Sequence, residues 1–129
     1  MLSQYVIDTT LLFACIFAIL HVTFSLRVGI YRGMNKISMG DGGDKELLNR
    51  VRGHGNFVEN APLFLLLLLL NELNGLDKDY LLILGSVFLV SRVIHYMMMV
   101  TRRLPIYFRP ISMVGTLGVT LAGGILLVI

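Results

Sequence analysis

Apolar and polar positions fall along this chain in long blocks rather than alternating. The first apolar block runs from about Val6 to Ile30, with His21 and Arg27 as its marked interruptions. The second runs from Leu47 to Leu73 and contains the unbroken stretch Leu63 to Leu70. The third covers Tyr80 to Val100, and the fourth, Ile111 to Ile129, holds no charge. A hydrocarbon core of about 30 Å needs roughly 20 helical residues, a length that each block meets. Continuous apolar runs also lack the alternation a membrane barrel requires. The pattern predicts an all-α protein with transmembrane helices over about 5–31, 45–73, 78–100 and 108–129.

The connections sharpen this picture. Arg32 to Asp44 carries Gly33, Gly40, Gly42 and Gly43 and reads as an exposed loop, with Asp44 placed to cap the second helix. Asn71 to Asp79 is short and acidic. Thr101 to Pro110 holds Arg102, Arg103 and Arg109 with two helix-breaking prolines. Short loops imply an up-down-up-down bundle within one domain spanning 1–129. Arg27, Arg32, Lys36, Lys45, Arg50 and Arg52 flank the first connection, and the arginines above flank the third. Only Lys78 belongs to the second. The positive-inside rule therefore puts connections one and three in the cytoplasm and both termini outside.

Composition agrees. Hydrophobic residues make up 56% of the chain and charged residues 15%, with a mean hydropathy of +0.79. Soluble domains carry about a quarter charged residues, so the solvent here is lipid. The net charge of +3 lies at the ends of apolar runs and comes with no nucleic-acid fold signature, which argues against nucleic acid. The one cysteine, Cys15, excludes an intrachain disulfide and reads as a small buried hydrophobe. Met1 to Asp8 lacks the basic start of a signal peptide, so the first block is expected to stay as a span.

Chemistry concentrates in Arg50-Val-Arg-Gly-His-Gly-Asn-Phe-Val-Glu-Asn-Ala-Pro62. Offsets of four and then three residues stack Arg52, Asn56 and Glu59 on one helical face. A carboxylate at that depth needs a cation, and Arg92 on the third helix is the natural partner. Arg92, His95 and Met99 form a second polar stripe, with Arg102 or Arg103 one turn further on. Gly53 and Gly55 suit close helix approach. Tyr96 and Tyr107 fit an interfacial aromatic belt, while Met97 to Met99 suit lipid or core packing. No carboxylate triad or paired histidine supports a metal site. An arginine-rich pocket with one carboxylate suits a small polyanion that carries an ammonium. No nucleophilic serine or cysteine accompanies it, so the reactive group must come from the ligand.

Arg52-Gly-His-Gly-Asn56-Phe-Val-Glu59, followed by Pro62, resembles the second-helix signature of the MAPEG family, the membrane-associated proteins in eicosanoid and glutathione metabolism. Arg92-Val-Ile-His95 resembles its Arg-x-x-His element. The resemblance covers nearly the whole chain. It implies a homotrimer binding glutathione between neighbouring subunits near the cytoplasmic side. It also implies that Arg32, Arg52, His54, Asn56, Glu59, Arg92 and His95 hold the tripeptide. An arginine near the start of the fourth helix would stabilise the thiolate; Arg103 and Arg109 both fit that place, and Arg103 is the first choice. The implied activity is that of a glutathione transferase or peroxidase acting on a hydrophobic electrophile or lipid hydroperoxide. Asn60 and Met99 stand where many catalytic members have tyrosines. A non-catalytic, lipid-binding scaffold is the alternative, with a small transporter behind it. The expected location is a bacterial inner membrane, or the endoplasmic reticulum in a eukaryote.

Overall fold

In the computed structural model, residues 7–101 and 103–129 are described, so the first helix's expected start and Arg102 lie outside the described residues. The long apolar runs form four helices: α1 (Asp8–Asn35), α2 (Lys45–Leu73), α3 (Lys78–Val100) and α4 (Phe108–Leu126). Each is long and apolar enough to cross a membrane. Local chemistry sets their ends. Asp44 accepts a hydrogen bond from the Leu47 N–H at 2.9 Å, and Asp77 accepts one from Asp79 at 2.9 Å, so carboxylates cap α2 and α3. Past its expected end near residue 31, α1 continues to Asn35, because no proline interrupts it. It stops where Lys36 turns left-handed (φ 55°) and donates its N–H back to the Arg32 carbonyl.

Successive helices pack side by side, and α4 returns against α2. The core is a ladder of rings running across the bundle. Phe17 meets Phe57 edge-on at 5.9 Å, Phe64 stacks on Phe88 at 4.0 Å, and Phe24 stacks on Tyr96 at 3.6 Å. Such pairs contribute about 0.5–1.5 kcal/mol each beyond their area burial. Glycines make the room: a Cβ on Gly85 would run into the Phe13 ring, and one on Gly53 would crowd Tyr96 at 3.1 Å. Gly53 therefore serves close approach, as its place in the sequence suggests.

Two expectations change here. Tyr96 is a core residue, 6% exposed, and takes no part in an interfacial belt; Tyr107 is exposed. Cys15 is exposed on the apolar outer face of α1 and is not a core residue. The methionine run divides: Met98 is buried, Met97 is exposed, and Met99 is half-buried.

At the end of the bundle away from the basic connections, Glu72 in the last turn of α2 accepts the backbone N–H groups of Thr9 (2.9 Å) and Thr10 (2.7 Å). Those donors open α1 and have no partner within their own helix, and the carboxylate also complements the helix dipole. Asn71 adds a second lock, donating to the Leu67 carbonyl and to the Gly123 carbonyl of α4, both at 2.8 Å. These contacts set the axial register of α1, α2 and α4. That register positions the polar residues at the opposite end.

Candidate functional site

The largest fully buried side chain is Arg92, 2% exposed, on the face of α3 that meets α2 and α4. Its Nη1 donates to the Asn56 side-chain oxygen Oδ1 on α2, and its Nη2 reaches Met113 Sδ of α4 at 3.4 Å. Its Nε has no partner among the described residues. Arg92 does not pair with Glu59 as the sequence suggested. Among the described residues, the only ion pair is Arg50–Glu46 at 2.6 Å, within the first turns of α2. Half-buried Asn56 is the α2 residue that Arg92 meets, whereas Glu59, about one turn further along the same flank, is exposed.

One turn along α3, His95 is also buried, and its Nδ1 lies 3.2 Å from Ser112 Oγ. The Ser112 hydroxyl donates its only proton to the Arg109 carbonyl at 2.8 Å. Its oxygen must therefore accept from a protonated His95 Nδ1, an assignment made from the network. That leaves His95 Nε2 an acceptor with no partner among the described residues.

These groups surround a cavity of about 330 Å³ at the basic end of the bundle. Arg52, Asn56, Glu59, His95 and Arg109 supply its polar wall. Met99 and Met113 are among its apolar lining residues. The size falls within the range of small-molecule sites. Two guanidiniums face it, a third stands behind Asn56, and Glu59 is the one carboxylate in the wall. Carboxylates can dock on the arginine forks, an ammonium on Glu59, and an N–H donor on His95 Nε2.

The remaining sequence candidates stand elsewhere in the subunit. Arg103 lies exposed on the α3–α4 connection, its N–H 3.4 Å from Thr101 Oγ1, and does not line the cavity. Arg109, the other arginine weighed for that role, does. His54 points from the far flank of α2 toward α1, where its Nε2 sits 3.3 Å from His21 Nδ1. Arg32 closes the end of α1, donating to the Gly40 carbonyl at 2.5 Å. Ser112 and Met113 escaped the sequence reading, because a serine and a methionine in an apolar run carry no signal of what faces them.

The MAPEG family model matches residues 10–129. The chain belongs to the MAPEG family. With four helices long and apolar enough to cross a membrane, it is an integral, multi-pass membrane protein. It is 39% identical over 85 residues to the inner membrane protein YecN of Escherichia coli K12, and equally to the YecN protein of Escherichia coli O6:H1. The match covers 66% of this chain and 65% of YecN. No solved structure matches the chain. Of the α2 residues singled out by the sequence resemblance, Arg52, Asn56 and Glu59 line the cavity and His54 does not.

Proposed function

We propose that this MAPEG protein is a glutathione-dependent membrane transferase or peroxidase acting on hydrophobic electrophiles or lipid hydroperoxides, in a bacterial inner membrane. The observation that carries the reading is the cavity itself. It combines two arginines, one glutamate, one amide and one histidine acceptor. Glutathione has two carboxylates, one ammonium and two amide N–H groups, so the donor set fits the tripeptide. Arg52 would take a carboxylate, Glu59 the ammonium, and Asn56 would stay fixed by Arg92 as a rigid wall.

Bound glutathione supplies the nucleophile, its thiol. Arg109 would stabilise the negative charge on sulfur, because a guanidinium beside a thiol favours its ionised form. A free thiol ionises near pH 8.5. Lowering that value by two units takes about 2.7 kcal/mol, within reach of one partly desolvated arginine. Arg109 takes precedence over Arg103 in this reading because it lines the cavity. Arg32 and His54 face away from their own subunit's cavity. In a homotrimer they would complete a neighbour's, so that glutathione would lie between subunits.

Conjugation rates of purified Arg109→Ala and Arg103→Ala in detergent test the assignment. Loss in the first and near-normal turnover in the second is the expected pattern. The reverse pattern would move the thiolate site to Arg103.

A second reading has its own support. Asn60, where many catalytic members carry tyrosine, spends its amide on the Asn56 carbonyl of its own helix at 2.7 Å. A scaffold that binds lipid without ionising glutathione fits that loss.

A further inference from the structure

His21 on α1 and His54 on α2 face each other between the two helices, and neither lines the arginine-rich cavity. His54 Nε2 lies 3.3 Å from His21 Nδ1, with ring centres 5.1 Å apart and ring planes tilted by 40°. His21 is exposed and His54 half-buried, so the pair opens to the outside of the subunit. We infer that these two nitrogens form a binding site for a divalent transition-metal ion of the zinc class. The ion would be held by two imidazoles, with two positions left open.

Geometry carries the inference. A tetrahedral ion binds imidazole nitrogen at about 2.0–2.1 Å, so two such ligands set their nitrogens about 3.3–3.4 Å apart. Their ring centres then fall about 5 Å apart. Both separations match the pair as it stands, with no movement of either helix. A hydrogen bond alone accounts for the pair less well. At 3.3 Å the contact is longer than the usual range of about 2.7–3.2 Å for N–H donors to oxygen. A straight N–H···N bond of that length would also hold the ring centres farther apart.

Chemistry selects the ion. Imidazole suits Zn²⁺, Cu²⁺ and Ni²⁺, whereas Mg²⁺ and Ca²⁺ prefer oxygen. Among the described residues no third histidine, cysteine or carboxylate joins the pair, so water fills the remaining positions. Depth allows that water. His54 stands between Arg52 and Asn56 in the chain, level with the polar end of the bundle rather than its apolar middle. The 33 residues between the two histidines hide the pair from any spacing rule.

An ion here would pin α1 to α2 near the basic end, as the Glu72 cap does at the other. It leaves His54 Nδ1 available, so the site does not compete with a role for His54 in a neighbour's cavity. The inference is independent of the glutathione reading.

Zinc chloride titrated into the detergent-purified, tag-free protein tests the site by thermal unfolding. The wild type should be stabilised saturably by Zn²⁺ and Cu²⁺ and not by Mg²⁺. In His21→Asn the apparent affinity for Zn²⁺ should fall at least about tenfold, since even an outer-sphere partner is worth about 10–100-fold. His21 is exposed, so this exchange leaves the core packing in place. No saturable shift in the wild type, or an equal one in His21→Asn, would overturn the site and leave a hydrogen-bonded histidine pair. A second measurement needs no variant. Co²⁺ added to the wild type should bind at one ion per subunit and give the strong visible bands of a tetrahedral ion. No uptake, or only the weak spectrum of an octahedral ion, would overturn the site as well.

Discussion

Arg92 on α3 donates to the side-chain oxygen of Asn56 on α2, which joins the two signature helices through one buried charged hydrogen bond. Arg92 is 2% exposed, and no carboxylate among the described residues pairs with it. The amide must therefore carry much of the guanidinium's polar satisfaction. Asn56 also lines the cavity, so the bond couples bundle stability to site geometry.

Removing the amide should be costly. Asn56→Ala leaves a buried cation without its oxygen partner and should lower stability by about 1–3 kcal/mol. Adding Arg92→Met should restore part of that loss, because the uncompensated charge goes with it. Thermal unfolding of Asn56→Ala, Arg92→Met and the double variant in one detergent closes the cycle. Additive losses would show that the bond does not couple the residues.

The far end of the bundle makes a separate prediction. Glu72→Gln keeps one acceptor oxygen for the Thr9 and Thr10 amides but removes the charge facing the α1 N-terminus. The expected cost is about 1 kcal/mol, with faster amide exchange at both threonines. Unchanged exchange there would mean that the cap is not held in solution.

Asp44 sets a pH dependence. The bond from the Leu47 N–H holds its carboxyl below the ordinary value, aided by the Tyr31 hydroxyl at 2.9 Å. Its folded pKa lies below its unfolded one. Its contribution is therefore complete above the unfolded value of about 3.9 and is lost as pH falls through the folded value. Thermal unfolding from pH 7 to pH 3 should show the wild type losing stability at the acid end more steeply than Asp44→Asn. Parallel curves would remove Asp44 as the cause.

Much of this was legible in the chain. The lengths of the apolar runs give the four spans, and Asp44 announces its cap by standing just before the second. The offsets from Arg52 to Asn56 to Glu59 put the three on one flank, and all three do line the cavity. Pairing between helices was not legible. Whether Arg92 meets Asn56 or Glu59 depends on how α2 is rotated and how far it slides along α3. That register is fixed by distant contacts such as Phe64 on Phe88 and Asn71 on Gly123. Tyr96 misled for a related reason: near a helix end it resembles a belt residue, yet Gly53 opens the space that buries it. Ser112 orients His95 through one hydroxyl, and no spacing rule reveals that relation across two helices.

The central claim is that the Arg52–Glu59–Arg109 cavity binds glutathione and ionises its thiol. Glutathione added to the detergent-purified protein tests it most directly, read at once as thermal stabilisation and as thiolate absorbance near neutral pH, with Arg109→Ala alongside. The account predicts stabilisation and a thiolate signal in the wild type, and stabilisation with a much weaker signal in the variant. Absence of stabilisation at millimolar glutathione would contradict it and leave the lipid-binding scaffold as the better reading.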